Sequence, residues 1–189
     1  MSRLFLAFEL PEHIKQRLLD IREPLRGARW QRADQLHLTL RFLGDVDDTA
    51  TLQILESLSG LRSAAPEIRL HGTGCFGGSH RPFAFWAGVA PELPLVQVRE
   101  EIDSRLVPLA LAPDRHAGFK PHVTLARIRG GDASAVRCAE RHAGLTSEPF
   151  TLDAVSLFSS QQGLQGSIYS VLHRFPLSGS GNIAPEPGC

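Results

Sequence analysis

The sequence has no long hydrophobic run and few cysteines, and each absence excludes a class of protein. Its longest apolar stretch, residues 83–90, has the length of a strand, whereas a bilayer-spanning helix needs about 20 apolar residues. Glu9 interrupts the apolar N-terminus and no small-residue cleavage site follows, so we predict no secretory signal. The three cysteines are widely spaced without a CxxC pair, which argues against a disulfide framework and predicts a cytoplasmic protein: Cys75, Cys138 and Cys189.

The sequence also has no net charge and only two lysines. Twenty basic residues balance twenty acidic ones, so bulk electrostatics cannot draw a polyanion along an extended track. Only Lys15 and Lys120 are lysines, and the remaining basic residues are arginines. Arginine binds phosphate bidentately, which suits a phosphate substrate, but codon bias in a GC-rich genome explains the same excess. The arginine content therefore decides nothing by itself.

The pattern of elements predicts one α+β domain over residues 1–177 and a disordered Gly-, Ser- and Pro-rich tail over 178–189. Hairpin-like strand pairs between helices favour this class over a parallel doubly wound sheet. Predicted strands cover 3–10, 36–43, 67–71, 83–89, 122–128, 150–159 and 167–175. Four helices are predicted. Two cover residues 11–27 and 95–109, and a third begins near residue 132. The fourth begins at residue 47 or 48, with Leu52, Leu55 and Leu58 facing inward.

One short motif occurs twice. His37-Leu38-Thr39-Leu40 returns as His122-Val123-Thr124-Leu125. The composition predicts about 0.04 His-x-Thr-Leu strings by chance, so two copies are a specific signal. A lone copy is typical of a structural histidine beside a β-branched strand residue, and the matched pair favours a functional interpretation.

The spacing of the motif determines its chemistry. In an extended strand, His and Thr two residues apart share one face at about 7 Å, while the residues between them face a core. Two such strands side by side bring together one imidazole to accept a proton, one to donate a proton, and two hydroxyl donors. Phosphoryl transfer on a cyclic phosphodiester needs this set of groups.

The residues around the motifs carry a family resemblance from residue 3 to about residue 177. The chain resembles the 2H phosphoesterase superfamily and, more narrowly, the bacterial and archaeal RNA 2′,3′-cyclic phosphodiesterases, once called 2′-5′ RNA ligases. The strongest landmarks are the stretches 3–7, 36–44 and 120–127. Weaker landmarks are Phe76-Gly77, Pro82, Phe85-Trp86, Ser159 and 166–169.

The resemblance implies two pseudo-symmetric lobes of mainly antiparallel sheet, with outer helices, around a central cleft that uses no metal or cofactor. By the same resemblance, Phe42 and Arg127, each five residues after a motif histidine, bind the nucleobase. Strict alternation puts Phe42 on the face opposite His37, so the strand must end or twist there. Alternation instead favours Arg41 as the residue that faces the cleft.

The implied activity is hydrolysis of a 2′,3′-cyclic phosphate on RNA ends or nucleotides to a 2′-phosphate, by a monomer. Analogy assigns His122 as the base and His37 as the acid, with Thr39 and Thr124 on the phosphoryl oxygens. Two alternatives stay open: joining or cleaving 2′-5′ linkages, which uses the same site, and non-catalytic binding of RNA ends.

Three other features have a functional and a structural interpretation. The Gly-rich segment 72–82 is either a phosphate cradle or a hairpin loop, with His80 and Arg81 at a tip that contacts RNA or only solvent. Trp30 is either a packing residue or a platform for a base. The remaining histidines have no HxxxH or HExxH spacing, so we predict no zinc site: His13, His71, His116, His142 and His173.

Overall fold

The computed structural model describes residues 1–77, 81–111, 118–130, 134–164 and 166–179. These residues contain nine strands and four α-helices. The strands are β1 Ser2–Glu9, β2 Ala28–Trp30, β3 His37–Val46, β4 Glu67–Phe76, β5 Ala84–Ala90, β6 His122–Ile128, β7 Phe150–Thr151, β8 Ala154–Gly163 and β9 Gly166–Pro176. The helices are α1 Glu12–Asp20, α2 Asp48–Leu58, α3 Leu93–Leu106 and α4 Ser134–Arg141. No helix in the described ranges is long and apolar enough to span a membrane.

All strand pairs in the sheet are antiparallel, and the sheet has two similar halves. The order is β7-β4-β5-β6-β3-β1-β8-β9, and β2 pairs with β6. We call β3-β1-β8-β9 the first lobe and β6-β5-β4-β7 the second lobe. They meet where β3 pairs with β6, so each lobe contributes its motif strand to the centre of the sheet. The predicted α+β fold with two pseudo-symmetric antiparallel lobes is confirmed.

The four helices pack against one face of the sheet, and the motif residues lie on the other. Alternating residues of β1 join the core beneath the helices: Leu4, Leu6 and Phe8. Residues from every helix belong to the same core, including Ile14, Ile54, Ile102 and Cys138. Leu38 and Val123 are fully buried in that core, which turns the flanking residues of each motif to the opposite face. We call that opposite side the motif face.

Two helix predictions need correction. Helix α1 ends at Asp20 and not near Gly27, because Pro24 disfavours helical backbone at the residue before it and cannot donate a helical hydrogen bond. Asp47 caps α2 as predicted, accepting a hydrogen bond from the backbone N–H of Ala50 at 2.8 Å. On α2 the buried residues are Ile54 and Leu58, whereas Leu52 is 67% exposed.

The strand predictions also need correction at three places. Strand β4 continues to Phe76, so half of the predicted Gly-rich loop is paired strand. The predicted strand 150–159 is broken between β7 and β8, where the backbone N–H of Leu152 bonds to the carbonyl of Pro66. Strand β2 was not predicted.

The predicted tail begins with an ordered residue, because Ser178 is hydrogen-bonded to Ser63 and Ala65. Residues 180–189 of that tail lie outside the described residues. Asp132, near which a helix was predicted to begin, also lies outside them.

Candidate active site

The two motifs meet at the seam between the lobes. Leu38 pairs with Val123 in antiparallel register. This register sets His37 beside Thr124 and Thr39 beside His122, because residues one step either side of the pair run in opposite directions. The four side chains form a compact group on the motif face, and each is partly exposed. The structure thus brings together the two imidazoles and two hydroxyls that the sequence predicted.

A bulge lies at the last residue of each motif. The β1–β3 register skips Leu40, and the β5–β6 register skips Leu125. A bulge inserts one unpaired residue, so the side chains after it change faces. Phe42 is consequently exposed on the motif face together with His37, and Arg127 is exposed in the same way after His122.

The prediction that Arg41 faces the cleft is therefore wrong. The bulge turns Arg41 away from the motif face, and only 9% of it is exposed. Its Nη1 donates to Oδ1 of Asp103 on α3 at 2.5 Å. Asp103 also pairs with Arg99 one turn earlier on the helix. Arg41 is thus part of an ion-pair group between β3 and α3.

Each motif histidine is oriented by a backbone carbonyl two residues before it. Nδ1 of His37 lies 2.8 Å from the carbonyl oxygen of Gln35, and Nδ1 of His122 lies 2.6 Å from that of Lys120. A carbonyl can only accept, so Nδ1 carries the hydrogen in both rings. In the neutral tautomer the lone pair then lies on Nε2, the ring atom that can take up a proton. Both rings therefore carry the hydrogen on the same nitrogen.

Aromatic rings surround both histidines, and the sequence reasoning missed their role. The centroid of the His37 ring lies 5.0 Å from Phe5, 5.1 Å from Tyr169 and 6.0 Å from Phe158. The signal in the sequence is that Phe5 alternates with the core residues of β1, which places it on the motif face.

The His122 ring has its own aromatic neighbours in the second lobe. It lies 4.8 Å from Phe76 and 6.3 Å from Trp86. Trp86 fits because Gly74 and Gly88 have no side chains: a Cβ on Gly74 would lie 2.3 Å from the indole. This close approach explains glycine within strands β4 and β5, where it otherwise weakens pairing.

The pKa of His37 is lowered to about 4. Burial is the largest cause, because it disfavours the charged imidazole, and the electrostatic influence of Arg127 and His122 acts in the same direction. The carbonyl of Gln35 opposes the shift by accepting a hydrogen bond from the ring. His37 is therefore neutral at pH 7 in the free protein.

The remaining candidates have structural roles or lie outside the described residues. Trp30 packs edge-on against Phe85 at 5.6 Å, and its Nε1 donates to the carbonyl of Glu23 at 3.1 Å, which supports the packing interpretation. Arg81 is exposed, whereas His80 and His116 lie outside the described ranges.

One histidine does have metal-binding neighbours, contrary to the spacing argument. Glu23, Cys138 and His142 each place a potential ligand atom within 4.8 Å of the others. Glu23, however, forms an ion pair with Arg141, and burial raises the pKa of the Cys138 thiol to about 12, so that it keeps its proton. The ion pair with Arg141 holds Glu23 in this group. Sequence spacing missed it because Glu23 is distant along the chain.

Comparisons with known proteins agree with this architecture. The family model of LigT-like phosphoesterases matches residues 8–86 and 88–169. The RNA 2′,3′-cyclic phosphodiesterase of Thermus thermophilus is 33% identical over 186 residues, which are 94% of this chain and 91% of that protein.

Solved structures show the same fold. A protein of Thermus thermophilus, known from its crystal structure, superimposes with a TM-score of 0.78 at 26% identity, over 94% of this chain and 99% of that one. Escherichia coli LigT complexed with 3′-AMP has a TM-score of 0.74 at 24% identity, over 94% and 98% of the two chains. Since the family model covers both halves, and each half contains one His-x-Thr-Leu motif, this chain belongs to the LigT-like phosphoesterase family.

Proposed function

We propose that this protein hydrolyses the 2′,3′-cyclic phosphodiester of RNA ends or nucleotides and leaves a 2′-phosphate, using acid–base catalysis by His37 and His122 without a metal ion. The observation that carries the proposal is the pairing of the two motifs at the seam, which sets each histidine beside the other motif's threonine. The activity of the Thermus thermophilus relative supports the same substrate class.

The reaction needs in-line attack at phosphorus. Water attacks opposite the 3′ oxygen, a P–O bond forms to the water, and the P–O3′ bond breaks. One histidine accepts the proton of the water through Nε2, and the other donates a proton to the departing 3′ oxygen. The hydroxyls of Thr39 and Thr124 donate hydrogen bonds to the phosphoryl oxygens, where charge develops in the transition state.

The protonation state of His37 bears on which histidine is the base. Family resemblance assigns the base to His122, but a pKa of about 4 makes His37 neutral and ready to accept a proton at pH 7. For His37 to be the acid, the bound phosphate anion must raise its pKa, since a nearby negative charge favours the imidazolium.

A sulfur-for-oxygen substrate separates the two assignments. When sulfur replaces the bridging 3′ oxygen, the leaving thiolate needs no proton, so only the variant that lacks the general acid recovers activity. Rescue of His37→Ala by this substrate assigns the acid to His37. Rescue of His122→Ala assigns it to His122.

We also propose that Phe42 and Arg127 contact the nucleobase. Both are exposed on the motif face at equivalent positions of the two lobes, and they flank the histidine–threonine group at opposite ends. An aromatic ring stacks on a base, and a guanidinium plane can do the same. Phe42→Ala and Arg127→Ala are expected to raise KM more than they lower kcat.

The proposal is tested with nucleoside 2′,3′-cyclic phosphates in the presence of a chelator. We expect turnover, with a product that coelutes with the 2′-phosphate standard and not with the 3′-phosphate. Turnover that is lost on chelation and restored by a divalent metal contradicts the metal-free mechanism. Tight binding of cyclic ends without turnover favours an RNA-end binding protein instead.

A further inference from the structure

The two lobes share their histidines and threonines but differ in the charge beside them. Two residues before the histidine, the first lobe has Gln35, which is buried and donates to the carbonyl of Ser167 at 2.7 Å. The second lobe has the exposed Lys120 at that position. Five residues after the histidine, the first lobe has Phe42 and the second has Arg127. Both of these flanking cations thus belong to the second lobe.

The side chain of Lys120 is held on the motif face. Its Nζ lies 4.2 Å from the centroid of the Trp86 ring, which itself neighbours the His122 ring. Lys120 lies two residues before His122, just outside β6, and Pro121 favours extended backbone at Lys120, which directs the side chains of residues 120 and 122 to the same side. In the described part of the chain no carboxylate pairs with Lys120. Its charge is therefore available to an anion bound beside the Trp86 ring.

A row of aromatic rings lies beside Lys120. Phe83 stacks on Phe76 at 6.2 Å with an interplanar angle of 23°, and Phe76 lies 5.5 Å from Trp86. The ring of Phe76 also contacts His122. We call Phe83, Phe76 and Trp86 the aromatic row. It runs from the catalytic group outward to Phe83, which is 55% exposed.

The chain is built to keep Phe83 against this row. Gly77 has a φ of +100°, and a Cβ there would lie 3.1 Å from the Phe83 ring and 2.4 Å from the carbonyl oxygen of Arg81. Glycine therefore permits both the turn and the stack. The backbone carbonyl of Phe83 accepts from Ile128, directly after Arg127, which ties the exposed ring to strand β6. Exposed aromatic rings combined with basic side chains are typical of sites for single-stranded nucleic acid.

We propose that the aromatic row and Lys120 form a subsite for the nucleotide that precedes the cyclic phosphate in an RNA strand. Lys120 binds the phosphate of that nucleotide, and Phe83 stacks on its base. The subsite rests on the proposed function and names its substrate class: RNA ends of two or more nucleotides are better substrates than cyclic mononucleotides.

Three substrates separate the contributions of phosphate and base. They are a nucleoside 2′,3′-cyclic phosphate, the same compound with a 5′-phosphate, and a dinucleotide that ends in the cyclic phosphate. For the unmodified protein, kcat/KM is expected to rise several-fold with the added phosphate, less so at high salt. The second base is expected to raise kcat/KM by a further factor of roughly 5 to 100, which is the contribution expected from stacking one base on one aromatic ring.

Two variants assign each gain to its residue. Lys120→Ala is expected to remove the gain from the 5′-phosphate, and Phe83→Ala the gain from the second base, while Phe83→Tyr keeps it. Both alanine variants should hydrolyse the cyclic mononucleotide at the unmodified rate, which also shows that they fold. Matched controls are Lys15→Ala on α1, the other lysine of the chain, and Leu52→Ala on the exposed side of α2.

The outcomes distinguish failure of the subsite from failure of the function. Equal kcat/KM for all three substrates overturns the subsite and leaves the proposed function in place. An equal loss on the mononucleotide and the dinucleotide in Phe83→Ala also overturns it, because the ring then supports His122 and not a base. Hydrolysis of none of the three substrates overturns the proposed function itself.

Discussion

Leu38 of β3 lies opposite Val123 of β6, and this pair joins the two lobes at the centre of the sheet. Both side chains are fully buried beneath the helices, so their neighbours along each strand point to the motif face. Antiparallel pairing then crosses the motifs and places each histidine beside the other lobe's threonine. A single pair of core residues thus sets the geometry of the proposed chemistry.

Removing either histidine is expected to abolish most activity. His37→Ala and His122→Ala should each lower kcat by about 10² to 10⁴, the range that general acid–base catalysis supplies. The double variant should lose far less than the product of the two, because the residues act as a unit. Near-full hydrolysis of a cyclic nucleotide by either single variant contradicts the two-histidine mechanism. His173→Ala, on β9, is the matched control.

The threonines are expected to act through their hydroxyls. Thr39→Val and Thr124→Val keep the shape and strand preference of threonine but remove the donor to a phosphoryl oxygen. Each should lower kcat by about 10- to 1000-fold, as loss of one oxyanion donor does, with a smaller change in KM. Thr→Ser at the same positions should retain activity. If valine and serine variants behave alike, the hydroxyls take no part.

The lowered pKa of His37 predicts a stability that falls in acid. The unfolded chain takes up a proton near the ordinary value of 6.5, while the folded protein takes it up only near 4. The unfolded state therefore binds more protons between these values, and the free energy of unfolding decreases as the pH falls through this window. The loss attributable to His37 at pH 5 relative to pH 7 is about 2 kcal/mol.

This pH effect is measured by urea unfolding of the unmodified protein and of His37→Phe. Phenylalanine keeps an aromatic ring at this position and removes the titration, so the difference between the two proteins isolates His37 from carboxylates such as Glu9, whose pKa is lowered. Parallel pH dependence of the two proteins contradicts the pKa shift.

Substitution of Arg41 is expected to lower stability, whereas substitution of Arg127 is expected to weaken substrate binding. Arg41→Met leaves Asp103 without its buried partner and should cost about 1 to 3 kcal/mol of stability, with kcat and KM little changed. Arg127→Met should raise KM for the cyclic nucleotide and leave the unfolding free energy nearly unchanged. Thermal denaturation and steady-state kinetics on both variants check the pair. The reverse pattern contradicts the bulge at Leu40.

Gly74 is expected to matter for catalysis through Trp86. In Gly74→Ala the new Cβ would lie 2.3 Å from the indole, which must move away from its place beside His122. Activity should fall, and tryptophan fluorescence should shift as the ring changes its surroundings. Gly144→Ala is the control, because nothing lies within 4 Å of a Cβ at that position. Unchanged activity and fluorescence in Gly74→Ala would show that the strand absorbs the methyl group.

Local sequence patterns determined much of the fold and the central group of the site. The spacing of His37 and Thr39, repeated at His122 and Thr124, is a property of any extended strand, so it predicted a shared face without tertiary information. Helical periodicity likewise gave the buried face of α3. The early end of α1 was also within reach of the sequence, because Pro24 is a local signal.

The tertiary structure decided which residues surround that central group. Alternation along β3 predicted Arg41 on the motif face, and only the pairing with β1 shows that a bulge at Leu40 exchanges it for Phe42. A bulge depends on the partner strand, so one strand's sequence cannot report it. The rings around His37 come from β1, β8 and β9, which are all distant from His37 along the chain. The sequence by itself determined the group of two histidines and two threonines, and the long-range strand pairing decided the environment of that group, because burial and charge act through space.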